Sequence, residues 1–270
     1  MKEFFIQQHY LIQTLIGGSF TWLMTALGAS LIFAFKKLRQ NIMEIMLGFA
    51  AGVMIAASFW SLLVPSIELS EQAGNIPWLA PSIGFVFGAL FLWFMDKITP
   101  HLHLGYKETE AEGPKTNLKK TSLIFFAITL HNIPEGLAVG VAFGSASLIG
   151  SPEAMISAIA LAIGIGIQDF PEGFAVSATL RASGAKRFKS FMYGQFSGLV
   201  EPIAAIIGAI LITSITTILP YALAFAAGAM IYVTVEELIP ESQLSKNTHN
   251  STFGLIAGFV VMMILDVALG

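Results

Sequence analysis

Cysteine is absent from all 270 residues, which excludes a disulfide framework, thiolate metal sites and cysteine nucleophiles. Charge is scarce: 11% of residues are charged, against roughly 25% in an ordinary soluble domain. With 55% hydrophobic residues and a mean hydropathy of +0.76, the chain lacks the polar surface needed to stay in water. The net charge of −3 offers nothing to a nucleic acid. No stretch resembles a separate soluble domain, so residues 1–270 read as one transmembrane unit whose function sits in its helices.

A bilayer core about 30 Å thick needs about 20 mostly apolar residues per helix. Such runs occur at about 10–35, 42–67, 80–98, 122–146, 153–180, 190–213, 220–240 and 252–269, which predicts an all-α polytopic membrane protein with eight transmembrane helices. The start, MKEFFIQQHY, is weakly basic and has no small-residue cleavage site, so the first run reads as a retained helix. Lys36, Lys37, Arg39, Lys97, Lys107, Lys115, Lys119, Lys120, Arg181, Lys186, Arg187, Lys189 and Lys246 all fall on one side of this plan, and only Lys2 on the other. Cytoplasmic loops retain basic residues, so both termini are expected outside the cytoplasm, in a multi-pass protein of the cell (inner) membrane. The connection at about 99–121 reads as a mobile cytosolic loop.

The informative charges are acids within or at the ends of apolar runs: Glu135, Asp169, Glu172, Glu201, Glu236, Glu237 and Asp266. Each would cost about 2.5–3.5 kcal/mol at the bilayer centre on insertion scales. No Lys or Arg lies in the central turns to neutralise them, which leaves protons or metal ions. The fourth run reads HNIPEGLAVG from His131 and the fifth QDFPEGFAVS from Gln168, identical at five of ten positions. Consecutive spanning helices are antiparallel, so a shared motif implies a pseudo-two-fold axis in the membrane plane. Inverted repeats of this kind belong to transporters with midplane sites.

His131 and Glu135, like Gln168 and Glu172, are four apart and stack on adjacent turns; Asn132 and Asp169 widen the same stripe. Pro134 and Pro171 deprive the carbonyls of Leu130 and Ile167 of helical partners. Glu201, followed by Pro202, adds a third acid beside a proline. Nitrogen and oxygen ligands of this kind suit zinc, iron(II), manganese or cadmium rather than copper(I). Their number exceeds the needs of one tetrahedral ion, which allows two ions bridged by Glu135 and Glu172.

These residues resemble those of the ZIP (Zrt/Irt-like) metal-transporter family: H-N-x-P-E-G in the fourth helix, Q-D-x-P-E-G in the fifth, the Glu of the sixth, and eight helices with a long loop after the third. The resemblance implies transport of divalent transition metals, zinc above all, toward the cytoplasm through a binuclear site of His131, Asn132, Glu135, Gln168, Asp169, Glu172 and Glu201. It implies a soft contact from Met54, central fourth and fifth helices, helices one to three related to six to eight, and one block sliding against the other. Two departures mark this chain: Gln168 stands where many members carry histidine, and His101 and His103 are the loop's only histidines.

The cargo is therefore Zn2+, or Cd2+, Fe2+ or Mn2+, with no catalytic cofactor. The partners are the lipid bilayer and the metal ion, and a homodimer is left open. Alternatives are a proton-coupled carrier of a small solute and, more remotely, an intramembrane metalloenzyme; the second histidine of H-E-x-x-H is missing from H-N-I-P-E. Outside the motifs, Glu236 and Glu241 read as solvated groups, Asp96, His101 and His103 as solvated loop residues with a metal-exit role as the alternative, and Glu44 as a surface ion-pair former. Glu237 and Asp266 read as a proton-sharing pair or part of an exit route.

Overall fold

The computed structural model describes residues 8–35, 40–103, 108–244 and 249–269. Lys2, Lys36, Lys37, Arg39, Lys107 and Lys246, used above to orient the chain, lie outside the described residues. Eight helices are long and apolar enough to cross a membrane: α1 Tyr10–Ala34, α2 Gln40–Gln72, α3 Leu79–Ile98, α4 Lys120–Ile149, α5 Pro152–Ala182, α6 Arg187–Ser214, α7 Thr216–Ser242 and α8 His249–Ala268. Among the described residues there is no strand, only an isolated bridge between His101 and Glu112.

Local chemistry sets the ends. Between α4 and α5, Gly150 takes the left-handed conformation (φ 70°) that ends a helix without a Cβ clash. Ser151 then caps α5 by accepting from the Ala154 N–H at 3.1 Å, and Pro152 opens it where no N–H is needed. Pro134 and Pro171 break neither helix; both run on through the motif. α6 does break, at Gly198–Leu199, so that Glu201 and Pro202 fall in the first turn of its second segment, Val200–Ser214. That is where a residue without an N–H is tolerated.

The most extensive pairings are α1 with α5, α4 with α6, α2 with α8 and α3 with α7. Exchanging α1 with α6, α2 with α7, α3 with α8 and α4 with α5 maps this set onto itself, as a two-fold requires. The exchange extends to single residues. Phe49–Ile55 (FAAGVMI) in α2 matches Phe225–Ile231 (FAAGAMI) in α7, a second repeat beside that of α4 and α5. Gly52 packs against the Leu255 carbonyl as Gly228 packs against that of Phe85; Gly258 meets the Phe49 carbonyl as Gly88 meets that of Phe225. In both helices the repeat leads into a π-helical turn, Ser58–Leu63 and Thr234–Leu238, followed closely by Pro65 and Pro240.

Burial is deepest in α4, where 72% of the most apolar window is enclosed; α2 follows at 67% and α5 at 61%, while α8 has 28%. The centre expected of α4 and α5 thus includes α2 as well. Phe143, Phe174, Met54 and Leu161 are among the large side chains fully buried there.

Candidate metal centre

Helical spacing brings the motif acids of α4 and α5 to one point. Glu135, Asp169 and Glu172 are buried, and one oxygen of each lies within 4.8 Å of the others. Two ionised carboxylates at that separation repel by about 3–4 kcal/mol at an effective dielectric of about 20, so the cluster needs positive charge in its midst, as a cation or as protons. Gln168 Nε2 donates to Glu135 Oε1. Glu201 stands in the electrostatic field of all three acids. Its Oε1 accepts from Asn132 Nδ2 at 2.7 Å and from Thr25 Oγ1 at 3.3 Å.

Seven buried oxygens here lack a hydrogen-bond partner among the described residues: Asn132 Oδ1, Glu135 Oε2, Gln168 Oε1, both carboxylate oxygens of Asp169, Glu172 Oε1 and Glu201 Oε2. Buried polar atoms are nearly always satisfied. Seven orphaned acceptors, all oxygens, form a cradle for something that accepts lone pairs.

Two expected members point elsewhere. His131 ion-pairs through Nε2 with Glu237 of α7. Met54 is fully buried in α2, and its sulfur accepts from Thr234 Oγ1 at 3.5 Å. Glu237 also holds His103 Nδ1 at 2.9 Å, and His103 Nε2 lies 3.6 Å from Glu112. Two further ligand-rich groups result: His103 with Glu237 and Glu241, and His101 with His103 and Glu112.

Several solvated assignments are therefore corrected. His101, His103 and Glu241 are buried where the chain after α3 folds back over the end of α7, and Asp96, within α3 itself, is buried beside Tyr232 of α7. Glu44 is buried too, accepting from Gln40 Nε2 at 3.0 Å. Glu236 is exposed, as expected. Glu237 and Asp266 do not pair: Asp266 accepts from Ser61 Oγ at 2.5 Å. Burial alone would lower the His103 pKa, but the hydrogen bond and charge of Glu237, helped by Glu241 and Glu112, hold it up at about 9.

Eight apolar helices around a buried, oxygen-rich acidic cluster define a multi-pass membrane protein with a centre suited to a divalent cation. The chain belongs to the ZIP zinc transporter family, whose model matches residues 108–266. It is 39% identical to zinc transporter ZIP11 of Homo sapiens, over 96% of this chain and 97% of that one. It is 38% identical to zinc transporter ZIPB of Bordetella bronchiseptica, over 94% and 81%, and 36% identical to zinc transporter GufA of Myxococcus xanthus, over 96% and 98%. These relatives are named as transporters, which points away from an enzyme.

Proposed function

We propose that this chain carries zinc, or a divalent ion of similar chemistry, across the membrane by way of the centre on α4 and α5. The observation that carries this reading is the set of seven unpartnered buried oxygens around Glu135, Asp169 and Glu172. Glu135, Asp169, Glu172 and Glu201 supply the negative charge; Asn132 and Gln168 supply neutral oxygens that bind weakly and allow release. His131 joins as the nitrogen ligand when it leaves Glu237, and Met54 lines the path as a soft contact that biases metal choice. Two ions sharing Glu135 and Glu172 accommodate the ligand number. Residues 1–270 act as one membrane domain, the basic loops facing the cytoplasm and both termini facing outward, with the ion moving toward the basic side.

The test is zinc and cadmium uptake into liposomes holding the purified protein. Wild type is expected to load both ions, while Glu135→Gln and Glu172→Gln reduce uptake to the protein-free background. A wild type that transports neither ion, or variants that transport as well as wild type, would overturn the reading.

A further inference from the structure

The two-fold lets the two ends of the molecule be compared residue by residue. The register set by Phe49–Ile55 and Phe225–Ile231 runs into the two π turns, where Ser58 falls on Thr234 and Ser61 falls on Glu237. On the partner helices, Gly84 and Gly88 correspond to Gly254 and Gly258, and the same spacing puts Asp96 of α3 on Asp266 of α8. The hydrogen bond from Ser61 to Asp266 thus has its counterpart at the basic end in two acids, Glu237 and Asp96, each in the other's electrostatic field. The same substitution of charge occurs nearer the middle. The reciprocal contacts of Gly173 with Thr25 and of Gly136 with Glu201 make Thr25 the counterpart of Glu201. At both places the N-terminal repeat supplies a hydroxyl and the C-terminal repeat a carboxylate.

The surroundings differ accordingly. Glu237 is buried between the imidazoles of His131 and His103. Ser61 borders a cavity of about 320 Å³ that Glu68, Gln72, Ser145 and Glu153 also line. Affinity for a hard or borderline cation rises with the number of anionic ligands a site offers. Asp266 with a serine is one anion, and one of its oxygens is already engaged.

We propose that Ser61 is the residue that keeps the end opposite the basic loops from retaining the ion. A neutral hydroxyl stands where the symmetric position carries an acid, so the two ends differ in affinity and a cation near Asp266 passes on instead of lodging there. The inference rests on the transport reading above and deepens it.

The test measures Cd2+ bound per chain at equilibrium by the purified full-length protein, together with zinc uptake after reconstitution. Ser61→Glu is expected to bind about one additional Cd2+ per chain and to slow uptake at saturating zinc by roughly tenfold, because the added anion deepens a resting place on the path. Ser61→Gln, equal in length but uncharged, should keep wild-type stoichiometry. Ser61→Asp provides a second carboxylate should the longer one disturb folding, and Asp266→Asn combined with Ser61→Glu should lose the added ion. Folded carboxylate variants with wild-type stoichiometry, or a glutamine variant that gains an ion, would overturn the proposal while leaving transport intact. A wild type that binds no Cd2+ would remove the transport reading and this inference with it.

Discussion

Glu172 Oε1 and both oxygens of Asp169 are buried without a hydrogen-bond partner, beside Glu135. An acid held there adds repulsion when no cation balances it. Glu172→Gln is therefore expected to raise the unfolding temperature of the metal-free protein while abolishing the further rise that zinc produces. For a single site, that rise corresponds to about 2.7 kcal/mol at one hundred times Kd. A variant that still gains stability on adding zinc would contradict the role of Glu172. His103 makes a separate prediction. Its pKa is raised from 6.5 to about 9 by Glu237, so its contribution is complete below about pH 6.5 and lost as pH climbs through about 9. Hydrogen exchange in residues 99–103 should accordingly quicken between pH 7 and 10. Exchange that responds to pH no more than in His103→Gln would count against the ion pair.

At the scale of the element, close helix approach rests on glycines that meet carbonyls of the facing helix. A Cβ on Gly52 would strike the Leu255 carbonyl, and one on Gly228 that of Phe85. Gly52→Val and Gly228→Val should each destabilise by roughly 1–3 kcal/mol, as overpacking does, and by similar amounts because the two contacts are equivalent. Thermal unfolding checks both; a harmless substitution at either position would break the equivalence. The eight spans and the acids of α4 and α5 were legible in the sequence because each depends on local information, the length of an apolar run or a spacing of three or four residues. The FAAGVMI and FAAGAMI repeat was equally present, but 176 positions separate its copies and neither carries charge. The burial of Asp96, His101, His103 and Glu241 was not legible. For His101, His103 and Glu241 it depends on where the segment after α3 lands, and for Asp96 on how α3 packs against Tyr232 of α7, all contacts distant in sequence. Likewise His131 has Glu135 one turn away in the chain, yet its ion pair is with Glu237, across a helix interface.

Across the whole molecule, the orientation proposed from the basic residues would set the turn holding Asn75 outside the cytoplasm and the turn holding Ser183 inside it. Both residues are exposed, and a chain without cysteine gives no background to thiol reagents. In intact cells a membrane-impermeant maleimide should label Asn75→Cys and spare Ser183→Cys until the membrane is opened; the reverse pattern would invert the orientation. The contact between His131 and Glu237 ties α4 to α7, and it does so through a nitrogen that a cation would also want. Toward Glu237 that nitrogen must present a proton, and toward a cation a bare lone pair, so it cannot do both at once. On the proposed route, a cation taken by His131 through Nε2 would displace this tie between α4 and α7, and its departure would restore it. The cargo would then itself be the key to that clasp.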